Sequence, residues 1–530
     1  MMLCLKEKFE KNKFWLIFSL TSTYLWGLAA HAYFLFDNSV SHDSLKEFHA
    51  TIYGNVFKVE LGRFLAPLYR AIFRGDATMS WLIGILGLFW LGLAVFFVVR
   101  IFCVESKLLA FLVAGVMSTN ITVSALISTY VHDFDCYMFS LLCAAMAVYL
   151  WKKNPSGWIP GTVLIAAAMG IYQGFLFTAV TLAMMVCIFA LLDGDSFQTV
   201  LIRGTKAIAM CLLGGLLYFI GLKAALRFSH ISLLTGTGNS LGNIRELTPK
   251  AIWDLSAGAY KYWFQNIWYT HSAYSGRLVK RITMILAGMT VVSLAWGLAK
   301  KRVHIWGMLL CLILILLLPY GMNLIYILAG GFIHEVMTYS NCFSYLVILL
   351  LTNWLAKDWN YRYFQNQFAS KVGSFIHILC MVLVFILLYG NVQFANGMHL
   401  KKDIEYDAYL SLMTRIVSQM ESESDYVPGE TSVFFAGLPE DLNDQIPGFE
   451  KHSLAIGTWF TDVLVDYEQQ RFQAYFDYVL CAPIKLLEDS RWNAMLTNPA
   501  VLDMPNYPAQ GCIKMMDDVL VVKLGDIPEY

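Results

Sequence analysis

The sequence predicts an α-helical polytopic membrane protein of about 11 transmembrane helices, followed by a small α/β domain outside the membrane. Three observations carry this reading. The 530-residue chain is 58% hydrophobic and only 14% charged, with a mean hydropathy of +0.56, whereas about a quarter of a typical soluble domain is charged. Its apolar residues fall in continuous runs near the ~20 residues a helix needs to cross a bilayer, not in the period-two alternation of an outer-membrane barrel. Residues 396–530 then turn more polar, with short β-rich stretches. The 38 basic residues balance 38 acidic ones, so no net field gathers nucleic acid, and no nucleic-acid partner is expected.

Eleven apolar runs can be marked in order: 14–36, 79–102, 108–128, 136–151, 158–171, 175–192, 207–227, 281–299, 303–325, 338–356 and 373–394. The pair 158–171 and 175–192 reads either as two spans or as one segment broken at Tyr172-Gln173-Gly174. Lys6, Lys8, Lys11 and Lys13 precede the first run and place the N-terminus inside the cell. Arg100 with Lys107, Lys152 with Lys153, Arg203 with Lys206, Lys300 to Arg302, and Arg362 with Lys371 mark the later inside loops, while the turns near 129–135, 172–174 and 326–337 carry no Lys or Arg. An odd number of spans leaves the C-terminus outside. Ala30-His31-Ala32 resembles a signal-peptide cleavage site, but the long aromatic-rich run before it favours an uncleaved anchor.

Residues 1–395 thus form a transmembrane domain with external loops 37–78 and 228–280, and 396–530 the external domain. In the first loop Leu45, Phe48, Ile52 and Val56 recur at helical spacing, which predicts an amphipathic helix with Asp43, Glu47 and His49 on its other side. Glu60 and Arg63, three apart, can share a helix face. In the second loop Leu234 to Ser240 reads as a mobile Gly/Ser/Thr stretch, and a helix starts after Thr248-Pro249. In the third piece Thr431–Ala436, Asp477–Ala482 and Val519–Lys523 predict strands, with Asp517-Asp518 at a hairpin turn. Most of the eleven cysteines lie in spans; Cys481 and Cys512 fall in the external domain, where pairing is an open option. No phosphate-loop, dinucleotide or zinc signature is present.

Buried polar groups are costly in a membrane and mark candidate positions. Three corners on the outside face stand out: Tyr130-Val131-His132-Asp133-Phe134-Asp135, Tyr172-Gln173, and His334-Glu335 followed by Tyr339 and Asn341. They share that face with Asp43 and suggest an outward-opening site.

Ordered segments extend this reading: Asp43-Ser44-Leu45 with Glu60-Leu61-Gly62-Arg63-Phe64, then His132-Asp133-Phe134-Asp135-Cys136-Tyr137-Met138 running into Phe139-Ser140-Leu141-Leu142, then Met169-Gly170-Ile171-Tyr172-Gln173-Gly174. With them the chain resembles, over roughly 14–355, the Gtr-type glucosyltransferases that modify O-antigen (the glucosyl transferase II domain family), members of the GT-C class of polytopic glycosyltransferases. It departs from their pattern in having one acid, Asp43, after His42 where members often have two, and no Arg near His334. The resemblance implies transfer of a hexose, glucose by the family, from a polyprenyl-phosphate-linked sugar such as undecaprenyl phosphate glucose. The acceptor is lipopolysaccharide or another surface polysaccharide, and the reaction runs at the outer (periplasmic) face of the bacterial inner membrane.

On that implication Asp43 is the catalytic base, Arg63 receives the donor phosphate, and Glu60 supports Arg63. Asp133, Asp135, Tyr172 and Gln173 bind sugar hydroxyls, and His334 and Glu335 are further candidates. A lipid phosphate departs already charged, so no metal and no other cofactor is expected. Membrane lipids are the remaining partner. The rival reading is a transporter or flippase of lipid-linked sugar, which predicts two related halves; no internal repeat is visible in the chain.

Overall fold

A computed structural model describes the chain except for residues 1, 38–40, 46, 51–53, 235–247, 269–273, 275, 300–303, 332, 363–366, 438–445, 450–468 and 528–530. The apolar runs form helices. In chain order these are α1 (Met2–Phe36), α2 (His42–Leu45), α3 (Gly54–Glu60), α4 (Ala66–Phe73), α5 (Ser80–Ile101), α6 (Lys107–Ser118), α7 (Ile121–Thr129), α8 (Val131–Lys153), α9 (Trp158–Ile171), α10 (Leu176–Asp193), α11 (Phe197–Ser229), α12 (Pro249–Trp268), α13 (Gly276–Ala299), α14 (Ile305–Leu328), α15 (Phe343–Arg362) and α16 (Gln367–Met420).

Among the described residues eight helices are long and apolar enough to cross a membrane, or nine if the bent pair α6–α7 is one span. The expectation of about eleven is corrected on that measure, and the reason is local. At 14 residues, α9 reaches only about 21 Å, short of the ~30 Å hydrocarbon core. α1 contains the expected run 14–36, but Ser19, Thr21, Ser22, Thr23 and Tyr24 dilute its apolarity. The α6–α7 bend of 45° falls where Asn120 restarts the helix, its side chain accepting from Val123 N. α14 carries Pro319 and bends at Asn323 (φ −123°, ψ 23°). Between α9 and α10 Tyr172 is extended (φ −152°, ψ 113°), so the break expected at Tyr172-Gln173-Gly174 is present.

α1, α5 and α8 form the centre of the bundle, and small residues set their spacing. A Cβ on Gly87 would lie 2.3 Å from the ring of Phe134, so the lack of a side chain on α5 seats Phe134 and with it the first turn of α8.

Beyond the bundle α16 does not stop at the expected boundary of 395/396; the 54-residue helix runs on to Met420. Its last part keeps helical spacing, with Tyr409, Met413, Ile416 and Met420 buried against Phe435, Tyr475 and Phe476 of the C-terminal part. There a four-stranded sheet of order β2-β1-β4-β3 is built from β1 (Ser432–Ala436), β2 (Lys485–Leu486), β3 (Ile513–Met516) and β4 (Val519–Lys523). β1 pairs in parallel with β2 and β4, and β3 and β4 form an antiparallel hairpin. Its turn is at Asp517, with φ at 53°. The segment expected as a strand over 477–482 is instead a wide helical turn, Phe476–Leu480, that continues the helix Gln469–Tyr475. Cys481 is exposed, Cys512 is buried, and both are free thiols.

The first loop also differs from expectation. The amphipathic spacing from Leu45 to Val56 does not make one helix: α2 ends at Leu45, His49 bridges to Ala77, and α3 starts at Gly54. The apolar residues serve two neighbours instead. Leu45 joins the core of the C-terminal part, and the ring of Phe48 stacks on Tyr478 at 4.8 Å. Ile52 and residues 235–240 lie outside the described residues.

Candidate active site

Residues 41–78 fold over the N-terminal end of α8, and opposite charges hold them there. Because α8 begins at Val131, His132, Asp133 and Asp135 occupy its first turns, not the corner loop expected. Asp133 accepts from Lys58 Nζ on α3 at 2.5 Å and from Arg70 Nη2 on α4 at 2.9 Å. Glu47 takes the other side of both cations, at 3.0 Å from Lys58 Nζ and 2.7 Å from Arg70 Nη2. His132 lies against the same group, 3.5 Å from Asp133 Oδ2, with its Nδ1 3.1 Å from Ser44 Oγ. Arg74, one turn on from Arg70, pairs through Nε with Asp135 at 2.9 Å, and its Nη2 donates to His132 O at 2.5 Å.

Two carboxylates and two cations cancel in the first group, and one of each in the second. All six charged side chains are at most 3% exposed. Removing any one leaves a buried uncompensated charge, which is the expensive case. Burial by itself would push the Glu47 carboxyl up; the cations beside it, Lys58 foremost, hold it down at about 2. Asp133 and Asp135, expected at sugar hydroxyls, are instead found fully buried, and both face arginine or lysine.

Arg63 is placed differently. The loop reaches it through Gly62, whose φ of +79° suits glycine. Gln173 Nε2 donates to Leu61 O at 3.1 Å and to Tyr218 OH at 3.0 Å, and Tyr218 OH donates to Gly62 O at 3.1 Å. Gln173 thus fixes the backbone that carries Arg63. The guanidinium lies 5.0 Å from the ring centre of Tyr172 and 5.6 Å from that of Tyr137, and its Nη1 donates to Tyr137 OH at 2.5 Å. The two rings are stacked at 4.2 Å. Among the described residues no carboxylate lies within ion-pair distance of Arg63, and its Nε has no partner. The support expected from Glu60 is therefore absent; that residue is half-buried, and its carbonyl accepts from Leu234 N at 3.1 Å.

Asp43, on α2, is half-buried. Its carboxylate accepts from the Tyr130 hydroxyl, and Arg63 also acts on Tyr130, so acid and guanidinium flank one phenol. His334 and Lys402 are within electrostatic reach of Asp43. Burial pushes the His334 imidazole below its ordinary pKa against the opposing pull of Glu335 and Asp43. Lys402, from α16, is buried and donates to Ser128 O at 3.1 Å. Glu335 shares this side: its carbonyl accepts from Thr122 Oγ1 at 2.6 Å, its Oε2 is buried without a partner, and next to it Val336 O accepts from Tyr172 OH at 3.3 Å. The expected set of Asp43, Arg63, Tyr172, Gln173, His334 and Glu335 is thus gathered in one region. Among the described residues no group of three or more His, Cys, Asp or Glu is arranged to hold a metal ion.

Sequence reasoning missed Lys58, Arg70, Arg74, Tyr137 and Lys402. A signal for the first three was present. Lys46, Lys58, Arg63, Arg70 and Arg74 all sit in a segment read as outside, against the usual placing of positive charge. Cations there need a reason, and burial against Glu47, Asp133 and Asp135 is that reason for three of them.

A family profile described as Glucosyl transferase GtrII matches residues 32–352, more than half of the chain and the whole span from Asp43 to Asn341. No curated protein and no solved structure matches the chain.

Proposed function

The chain belongs to the glucosyl transferase GtrII family, and on that premise we propose that it moves glucose from a polyprenyl phosphate donor to a surface polysaccharide such as O-antigen. The reaction takes place at the outer face of the bacterial inner membrane, with the N-terminus in the cytoplasm and the C-terminal part in the periplasm. The packing of Leu45 in the core of the C-terminal part supports this topology, because it requires loop 37–78 and the C-terminal part to share a side.

One observation carries the chemistry: among the described residues Arg63 is a guanidinium with no carboxylate within ion-pair distance, and it shares Tyr130 with the half-buried Asp43. Asp43 accepts the proton of the acceptor hydroxyl as its oxygen attacks the anomeric carbon. The bond from that carbon to the phosphate oxygen breaks on the opposite face, and the configuration inverts. Charge grows on the departing lipid phosphate, and Arg63, with its planar fork held on Tyr172 and Tyr137, receives it. Tyr130 orients Asp43, Gln173 holds the loop behind Arg63, and His334 with Glu335 completes the acceptor side. Asp133 and Asp135 fasten the loop. Residues 396–530 select the acceptor.

The test uses purified full-length protein with polyprenyl phosphate glucose and an isolated surface polysaccharide. Transfer that collapses in a folded Asp43→Asn variant supports the reading. Equal transfer by both proteins moves the base elsewhere, Glu335 first. No transfer by either, across varied sugars and acceptors, overturns the reading in favour of transport of a lipid-linked sugar.

A further inference from the structure

Two distant parts of the chain meet at the C-terminal end of α7. The last carbonyls of a helix have no partner within it, and here side chains take two of them. Ser41 Oγ and Ser44 Oγ, on either side of Asp43 in sequence, both donate to Thr129 O. Lys402 Nζ donates to the preceding carbonyl, Ser128 O, at 3.1 Å. The next residue, Tyr130, donates its hydroxyl to the Asp43 carboxylate. Three consecutive residues thus hold Asp43 and Lys402, and the two charges are within electrostatic reach of each other.

Lys402 lies beyond the family-matched residues 32–352, on the part of α16 that continues past residue 395. It is buried, as are Lys401 and Glu405, and the buried charges on this stretch do not cancel. Two ammonium groups share one carboxylate: Lys401 Nζ lies 4.0 Å from Glu405 Oε1, while Lys402, on which Glu405 also acts, turns to α7. The other acids of the stretch are placed elsewhere, Asp403 accepting from Tyr33 OH at 2.6 Å and Asp407 being exposed. A buried ammonium needs opposing charge. The helix dipole at the C-terminal end of α7 offers part of it, and the carboxylate next to that helix end is Asp43.

We infer that Lys402 is a positioning residue for the transfer proposed above, its ammonium facing Asp43 across the end of α7 and holding that carboxylate ionised and able to accept a proton. The inference rests on Asp43 being the base. Partial burial favours the neutral form of a carboxyl and a nearby cation favours the charged form, so the surplus charge on α16 works in favour of the base. The other groups that face Asp43 are Tyr130, with Arg63 behind it, and His334 beside Glu335. Those that face Lys402 are Glu405, Lys401 and His399. Because α16 runs on into the core of the C-terminal part, one helix both anchors that part and carries the charge that tunes the site.

The experiment follows kcat/KM for glucose transfer against pH, with thermal unfolding, for the native chain, Lys402→Met, Lys402→Gln, Asp43→Asn and the double variant Asp43→Asn, Lys402→Met. The acid limb of the native profile reports ionisation of the base. Lys402→Met moves that limb up by about one pH unit, so transfer falls about tenfold on its acid side and returns toward the native value at higher pH. Lys402→Gln keeps a donor for Ser128 O without the charge, moves the limb alike, and carries the test if Lys402→Met does not fold. In the Asp43→Asn background Lys402→Met has no further effect on the residual transfer. A loss that is even across pH, an unmoved limb, a native profile in Lys402→Gln (a helix cap and nothing more), or failure of both single variants to fold overturns the inference and leaves the transferase reading standing. Equal transfer by native and Asp43→Asn protein moves the base elsewhere and overturns the inference with it. Absence of transfer by the native protein overturns both readings.

Discussion

Two groups of charge lie on the same loop and differ in how completely they are neutralised. Glu47, Lys58, Arg70 and Asp133, with Arg74 and Asp135 beside them, are buried and paired charge for charge. Arg63 and Asp43 are held by phenols instead: Arg63 by Tyr137 and Tyr172, Asp43 by Tyr130. A phenol fixes the position of a charge without cancelling it. The first group therefore anchors the loop; in the second, Arg63 has no carboxylate within ion-pair distance among the described residues, and Asp43 lies within electrostatic reach of Lys402 and His334. Polar residues crowded at one membrane face are not all site residues; the saturated ones hold the others in place.

The largest expected effect separates the two groups by what is lost. Asp43→Asn lowers transfer by about 10²–10⁴-fold, the range of a positioned general base, and leaves thermal unfolding of the purified protein unchanged. Asp133→Asn does the reverse first. It strands Lys58 and Arg70 and costs about 3–5 kcal/mol of stability, read as a lower unfolding temperature, with activity falling only as folded protein is lost. If Asp133→Asn were stable but inactive, the contrast between the groups would fail. The double variant Lys58→Met, Asp133→Leu sharpens the point, since removing a buried pair together costs less than breaking it.

Arg63→Lys comes next. It keeps the charge but loses the planar fork and the ring contacts, and transfer drops roughly tenfold, while unfolding changes little because the charge is kept and, among the described residues, no carboxylate lies within ion-pair distance of Arg63. The effect of pH is smaller and belongs to the anchoring group. Glu47 has a carboxyl depressed in the fold, so its contribution is complete above its unfolded pKa of about 4.3. It is lost as the pH falls from there through about 2. Unfolding temperatures of native and Glu47→Gln protein, far apart at neutral pH, converge over that interval; a constant gap would deny the ion network its role. The smallest effect tests the contact between loop and C-terminal part. Phe48→Ala removes the stack on Tyr478, costs about 1 kcal/mol, and loosens α2 enough to lower transfer a few-fold.

Much of the fold could be read in advance because it rests on local pattern. The eleven apolar runs fall on helices, although 108–128 is divided between α6 and α7 and 338–356 begins ahead of α15; the break at Tyr172-Gln173-Gly174 is present, and the hairpin turn falls at Asp517. The misreadings lie where local pattern meets a distant partner. The spacing from Leu45 to Val56 is helical, yet Leu45 and Phe48 pack on the C-terminal part and the chain turns between them and α3. The helix after residue 395 continues because the C-terminal sheet gives Ile416 and Met420 a surface to bury against. Asn341 could be named as a polar residue in a corner; that its amide is left unpaired needed every neighbour in place.

By itself the sequence determined a helical membrane architecture, the polar segments between the helices, the family, and the set of residues gathered near one face. Those follow from composition, from run length against bilayer thickness, and from ordered motifs. Only the tertiary structure decided which charges are cancelled. Lys58 and Asp133 are 75 positions apart and Arg70 and Asp133 are 63 apart, so no periodicity relates them. Neutralisation depends on distances of about 3 Å set by how the loop folds over α8, and that path separates Asp133, an anchor, from Asp43, the proposed base.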